Sequence, residues 1–395
     1  MTDNSRGTHG DVFGGAARAS QYIEEDTRST PARPLVASAA TAADVAPEAS
    51  NKAGSPLVDV PSRSGTATAN GAAVPVSSTS VLFGGTAAAL ATSDPEKATV
   101  GFRGALAKLG LPIKPGADEV EARRVQARRL AAETVVRQAT WTRAVSVLVN
   151  NPKGGTGKTP TALILAGVLA AIRGGSTAVL EVSDDPGALG YRAEGSPRLG
   201  LGELVRDVDQ VTTAGRLHGY TAPQTSFADV IASTGRRDRL TGEAVVAVCK
   251  VIDEFYGIRV MDSGNVTTSS AFGGAVSVTD VLVIPVMNAG DSVLEAIQLL
   301  EELRAAGGHA QHLADTAIAI RLTDGRPENT AVTDEVARLL REAGVTSLHE
   351  VPYDAHIAER QQITLAQLAP ATRDAFVTAA AAVVTSLKNT VSTDH

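Results

Sequence analysis

The chain has 395 residues, of which 43% are hydrophobic and only 3% aromatic, and carries a formal net charge of −7 at pH 7. That length allows roughly two or three domains, while the single cysteine, Cys249, excludes an internal disulfide framework and fits a reducing compartment. The longest apolar run, around residues 161–172, is too short to span a bilayer, and no apolar segment follows a basic start, so a cytoplasmic protein without a transmembrane segment is expected.

Residues 1–97 are dominated by Ala, Ser, Thr, Gly and Pro and hold few large apolar side chains. Such a stretch cannot bury enough surface to offset its ordering entropy, and a disordered tail is expected there. Phe-Gly-Gly occurs twice in it, at Phe13 and Phe83, and once more at Phe272. A repeated docking motif and a coincidence of an Ala/Gly-rich tract both account for it, the second more simply.

Residues 98–143 read as a basic helical linker. From Gly101 to Arg143 nine basic residues face four acids, so this stretch is +5 in a chain that is otherwise acidic. Residues 117–138 contain no Gly or Pro, and acids precede arginines, as the helix dipole favours. Arg124 and Arg128 share one face at i, i+4. That face is either simply solvated or contacts the phosphate backbone of a nucleic acid.

The most informative stretch is 144–160. Val145, Val147, Leu148 and Val149 read as a buried parallel strand, and the run stops at Asn150–Pro152. A turn with Gly154, Gly155 and Gly157 follows, then an apolar helix from Thr159 to Ile172. Strand, glycine loop, Lys-Thr and helix form the phosphate-binding P-loop, in which backbone N–H groups curl around anionic oxygens at a helix N-terminus. Lys158 would reach the terminal phosphates of a nucleotide and Thr159 would ligate Mg²⁺. The general pattern wants glycine at 152, where this chain has Pro152, and a second lysine, Lys153, precedes the glycines. Lys153-Gly154-Gly155-Thr156-Gly157-Lys158-Thr159 closely resembles the deviant P-loop of the ParA/MinD ATPases. The resemblance implies ATP and Mg²⁺ as cofactors, a phosphate cradle over residues 154–160, and a Lys153 that crosses a nucleotide-sandwich homodimer to the partner's phosphates. Pro160 departs from the pattern by removing a loop N–H, although proline suits a first helical turn.

Ala178–Val182 reads as a second strand, ending in Ser183-Asp184-Asp185-Pro186-Gly187. Similar proteins have Asp-x-Asp-Pro-Gln-Gly here, the second Asp lying near the attacking water. Two registers are possible. One puts Asp184 at the second Asp and Val182 at the first; the other puts Asp185 at the second and Ser183 at the first. Asp184 is favoured, and either way the first acid is missing, with Glu181 nearby. Residues 195–242 are turn-rich and weakly periodic. Glu243–Phe255 reads as a helix and Ile258–Met261 as a strand ending at Asp262. The resemblance makes Asp262 the acid that holds Mg²⁺ through water and Gly264 a γ-phosphate sensor.

Val281–Val286 reads as a further strand, with Asp291 as N-cap of a helix to Arg304. A strand at Thr316–Ile320, a helix at Thr333–Ala343, a strand at Ser347–Val351 and a helix at Pro370–Leu387 complete the alternation. Pro352-Tyr353-Asp354 resembles the family's base-binding loop, so Pro352, Asp354 and the backbone between them are candidates.

The alternation over 144–390 predicts an α/β fold with a doubly wound, mostly parallel sheet, and the resemblance implies the SIMIBI type of P-loop NTPases. The resemblance implies a ParA-like, partner-stimulated ATPase that closes as a homodimer with ATP. It would bind DNA non-specifically in partitioning or cargo positioning, stay with the nucleoid, and answer to a ParB-like adaptor. A MinD-like positioning ATPase at a membrane is the alternative, but residues 376–388 lack a basic amphipathic face. A third reading is a nucleotide-gated scaffold with little hydrolysis.

Overall fold

The central strands of the sheet are mostly Val, Ile and Leu, as expected for strands covered on both faces, with Ser146, Glu181, Arg259 and Asp262 buried among them. The computed structural model describes residues 97–393. The expected disordered tail, with its Phe13 and Phe83 patches, lies outside the described residues apart from Lys97.

In chain order the elements are α1 (Gly101–Lys108), α2 (Ala117–Gln138), β1 (Val145–Val149), α3 (Lys158–Arg173), β2 (Thr177–Val182), α4 (Leu189–Arg192), α5 (Leu201–Asp207) and α6 (Ala214–Leu217). Then come β3 (Ala222–Pro223), β4 (Ala228–Ile231), α7 (Gly242–Asp253), β5 (Ile258–Ser263), α8 (Ser270–Ser277), β6 (Val281–Met287) and α9 (Gly290–Ala306). The chain continues through α10 (Gly308–Asp315), β7 (Ile318–Leu322), α11 (Thr330–Glu342), β8 (Ser347–Val351), α12 (Ala355–Ala358) and α13 (Pro370–Thr393). Eight strands form one sheet in the order β3-β4-β2-β5-β1-β6-β7-β8. All pairings are parallel except that of the two-residue edge strand β3 with β4.

Alternate side chains of each strand enter opposite layers. Val145, Val147 and Val149 of β1 pack with α2, α3 and α13 on one face. Leu148 points to the other, under α7, α8, α9, α10 and α11. This is the doubly wound sheet that the alternation implies.

α2 lies against α13 and α3, with Val136 fully buried. Arg173 at the end of α3 donates to Val136 O and Ala139 O at 2.7 and 2.9 Å and stacks over Trp141, 4.4 Å from its ring centre. Arg129 binds Glu133 within α2 and Asp374 of α13, while Arg123 donates to Glu119 and to Lys97 O. Arg124 and Arg128 stay exposed, both leaning on Glu121.

One expectation changes, and one stretch left open by the sequence is filled. The turn-rich 195–242 region holds β4, a sheet strand of only four residues, too short for its alternation to stand out. Asp291 is not the cap of α9: Ala289 takes that place, and Asp291 sits inside the first turn. The third Phe-Gly-Gly is packing, since Phe272 is buried and a Cβ on Gly274 would meet Gly242 Cα at 2.5 Å. α8 and α7 touch there backbone to backbone.

Candidate functional site

The carboxyl ends of β1, β2, β5 and β6 open on one cleft of about 770 Å³. Its floor is the β1–α3 loop. Gly155 and Gly157 adopt φ of 80° and 91°, the left-handed region that glycine enters without steric cost. Asn151 fastens the loop: its Oδ1 accepts from Lys153 N, and its Nδ2 donates to Pro285 O and Ser292 O. Thr156, buried, donates to Lys153 O at 3.3 Å. The N–H groups of Lys158 and Thr159, in the first turn of α3, have no acceptor inside the helix. Pro160 lines the cleft but offers no donor.

The Lys158 ammonium is held by Asn151 O at 2.7 Å, Lys153 O at 3.0 Å and Asn265 Oδ1 at 2.6 Å. Burial pulls its pKa down to about 8, against the attraction of Asp262. Thr159 donates its hydroxyl to Asp262 Oδ2 at 2.7 Å, while Asp262 Oδ1 is buried without a partner among the described residues. Burial pushes the Asp262 carboxyl up to about 7; Thr159 and Lys158 oppose the shift and Glu181 adds to it.

These features fit a nucleotide with its cation. An orphaned carboxylate oxygen next to a hydroxyl suits a hard divalent ion, with Thr159 and Asp262 to hold it. An ammonium resting on carbonyls can turn to phosphate oxygens when they arrive. Gly264 also lines the cleft, where a Cβ would press on Ser183 Cβ at 3.2 Å.

Lys153 Nζ pairs with Asp291 Oδ2 of its own chain at 2.8 Å, on the exposed rim. Pro352 and Tyr353 line the far wall. Asp354 lies there as well, but both its oxygens are taken, Oδ1 by His356 N at 2.9 Å and Oδ2 by Ala369 N at 2.8 Å. It caps α12 and holds the loop.

Asp184 and Asp185, the two candidates of the 182–185 registers, are not among the residues that line the cleft. Asp184 turns aside, its carbonyl accepting from Arg237 and Leu240 N and its Oδ1 buried without a partner among the described residues. Asp185 is exposed, 3.9 Å from Arg239. Glu181 and Ser183 line the cleft in their place, because parallel pairing sets Glu181 opposite Asp262 and side chains alternate along β2. Sequence reading also missed Asn265, Arg192, Arg326 and Arg360, all in the lining. Only Asn265, three residues after Asp262, carried a local signal.

The model of the CobQ/CobB/MinD/ParA nucleotide binding domain matches residues 147–364. Among solved structures, a ParA family ATPase from Chlorobium tepidum TLS is similar at 17% identity, over 63% of this chain and 98% of that one, with a TM-score of 0.48. The MinC:MinD cell division protein complex of Aquifex aeolicus is similar at 16% identity, over 60% and 94%, with a TM-score of 0.46. Apo McdA of Cyanothece is similar at 16%, over 60% and 99%, with a TM-score of 0.45. No curated protein matches the chain at a significant level. With the P-loop, the acid beside it and the sheet order in place, the matched residues settle the family: the chain belongs to the CobQ/CobB/MinD/ParA nucleotide-binding domain family.

Proposed function

We propose that this protein is an ATP-dependent switch of the ParA kind, which binds Mg-ATP in the cleft, dimerises in that state and hydrolyses ATP slowly. The observation that carries the reading is the Thr159–Asp262 hydrogen bond beside the carbonyl-clasped Lys158 ammonium. Residues 154–159 would cradle the phosphates, Thr159 and Asp262 would hold Mg²⁺, and Gly264 would sense the γ-phosphate. The 352–354 backbone would meet the base, and Lys153 would reach across the dimer. Non-specific DNA binding is supported by the exposed Arg124 and Arg128 on α2. No described helix is long and apolar enough to cross a membrane.

A second reading, a nucleotide-gated scaffold with little hydrolysis, is favoured by the placement of Asp184 and Asp185 outside the cleft lining.

Mg-ATP at about 100 times its Kd should raise stability by about 2.7 kcal/mol, and Lys158→Ala should abolish the gain. A Lys158→Ala protein that gains as much as the wild type sinks the nucleotide reading. Phosphate release from the wild type, measured beside it, separates the switch from the scaffold.

A further inference from the structure

Arg237 lies in the loop after β4, far in sequence from the P-loop, yet its side chain is only 3% exposed. Burying a guanidinium is costly unless every donor is met, and here all three nitrogens are engaged. Nε donates to Ser233 Oγ at 2.8 Å, and Nη1 to Asp184 O at 2.6 Å and Asp238 O at 3.1 Å. Nη2 donates to Ser183 O at 2.7 Å and to Glu181 Oε1 at 3.1 Å. Ser233 adds its own hydroxyl to Glu181 Oε1 at 2.5 Å. One arginine therefore grips the carboxylate and the two carbonyls that follow the end of β2.

The grip is one-sided. Glu181 Oε1 receives two donors, whereas Oε2 is buried with no partner among the described residues. Glu181 stands opposite Asp262 in the β2–β5 register, and Asp262 Oδ1 is orphaned in the same way. Both residues line the cleft. A buried oxygen left unpaired demands an explanation, and gluing a loop to a strand accounts for Oε1 only. The Gly187 backbone passes close to the other oxygen: a Cβ there would stand in ordinary contact with Oε2, at 3.5 Å, and tighter against Ser183 Oγ, at 3.3 Å.

We propose that Arg237 is a positioning residue for the nucleotide cleft, acting through Glu181. It fixes Oε1 and leaves Oε2 available, in the cleft that Asp262 also lines, to accept hydrogen bonds from the water that a divalent cation would bring. The same grip on Ser183 O and Asp184 O sets the course of the segment that passes the cleft. This rests on the nucleotide reading above and adds to it a residue from the weakly patterned 195–242 region.

The test is a double-mutant cycle with Arg237→Met, Glu181→Gln and the pair, on the full chain. Three quantities are read: the melting shift with ATP and EDTA, the extra shift when Mg²⁺ replaces EDTA, and kcat at saturating Mg-ATP. Losing a supporting group of this kind costs about 10- to 100-fold in cation affinity or activity. Arg237→Met should keep the ATP–EDTA shift, need about 10-fold or more extra Mg²⁺ for the second shift, and lose kcat by a similar factor. Because both residues act through one carboxylate, the pair should fall no more than about twofold below the worse single variant. Single losses that multiply in the pair, or an unchanged Mg²⁺ requirement in Arg237→Met, would overturn the proposal. Should Arg237→Met not fold, Arg237→Lys keeps the charge without the fork and takes its place, with the same non-additivity expected. A wild type with no shift from ATP under either condition would instead remove the nucleotide reading, and this proposal with it.

Discussion

Lys153 Nζ and Asp291 Oδ2 stand 2.8 Å apart within one chain, so the lysine that marks this P-loop is engaged in cis. Its partner sits in the first turn of α9, next to Ser292, whose carbonyl anchors Asn151 of the loop. The pair is exposed on both sides, so water and salt screen it and its loss disturbs little else.

A lysine needed across a dimer must first leave Asp291. Lys153→Ala should keep the Mg-ATP melting shift but stay monomeric in sedimentation with a non-hydrolysable analogue. Asp291→Ala should dimerise at lower protein concentration than the wild type, with an unchanged melting midpoint. A wild type that remains monomeric with the analogue counts against the sandwich dimer.

Among the shifted groups of the cleft, the buried Asp262 and Lys158 shape the pH profile of the nucleotide-free chain. Asp262 titrates near 7 when folded against an ordinary 3.8, so between those values the folded state holds the extra proton and stability falls as pH rises. Lys158 titrates near 8 against 10.5, so over that interval the unfolded state holds the extra proton and stability climbs with pH. Urea midpoints in EDTA should therefore pass through a minimum between pH 7 and 8. Asp262→Asn should remove the falling limb and Lys158→Met the rising one. Profiles that keep both limbs in these variants would show that other groups set the dependence.

For DNA, the structure narrows the residues to be tested. Arg123 and Arg129 tie α2 to its surroundings, so replacing them mixes stability with charge. Arg124→Ala with Arg128→Ala should leave the melting midpoint alone. In the ATP state, the slope of log affinity for duplex against log salt should flatten by about 0.9 for each phosphate that these arginines neutralise. An unaltered slope moves the DNA-binding surface off α2.

The Phe272 tripeptide should behave as core. Gly274→Ala puts a methyl against Gly242 and should cost about 1–3 kcal/mol of stability by overpacking. Phe272→Ala should cost about 3–5 kcal/mol through the cavity it leaves. Full stability in either variant would reopen the docking reading of that segment.

The P-loop was legible because everything it needs is contiguous. The apolar run of β1, the glycines that reach positive φ and the Lys158-Thr159 pair at the start of α3 are fixed by neighbours in sequence. Asp262 could be read for the same reason, as an acid at the end of an apolar strand. The second carboxylate could not. Two registers of 182–185 were open, with Asp184 favoured, and only the pairing of β2 with β5 decided that Glu181 and Ser183 face the cleft while Asp184 turns away. Strand parity changes with a one-residue slip, and the partner that sets it is some eighty residues distant. Asp354 shows the same limit, since its oxygens are consumed by His356 N and by Ala369 N, the latter reached only through the fold. Arg237 is the extreme case: its sequence surroundings carry no pattern, and its place beside Glu181 comes from the packing of a loop against a strand more than fifty residues earlier. Local propensity fixed the elements and the loop that can hold phosphate. Which carboxylates stand over that loop was left to long-range pairing, because side-chain direction in a sheet is a property of two strands and not of one.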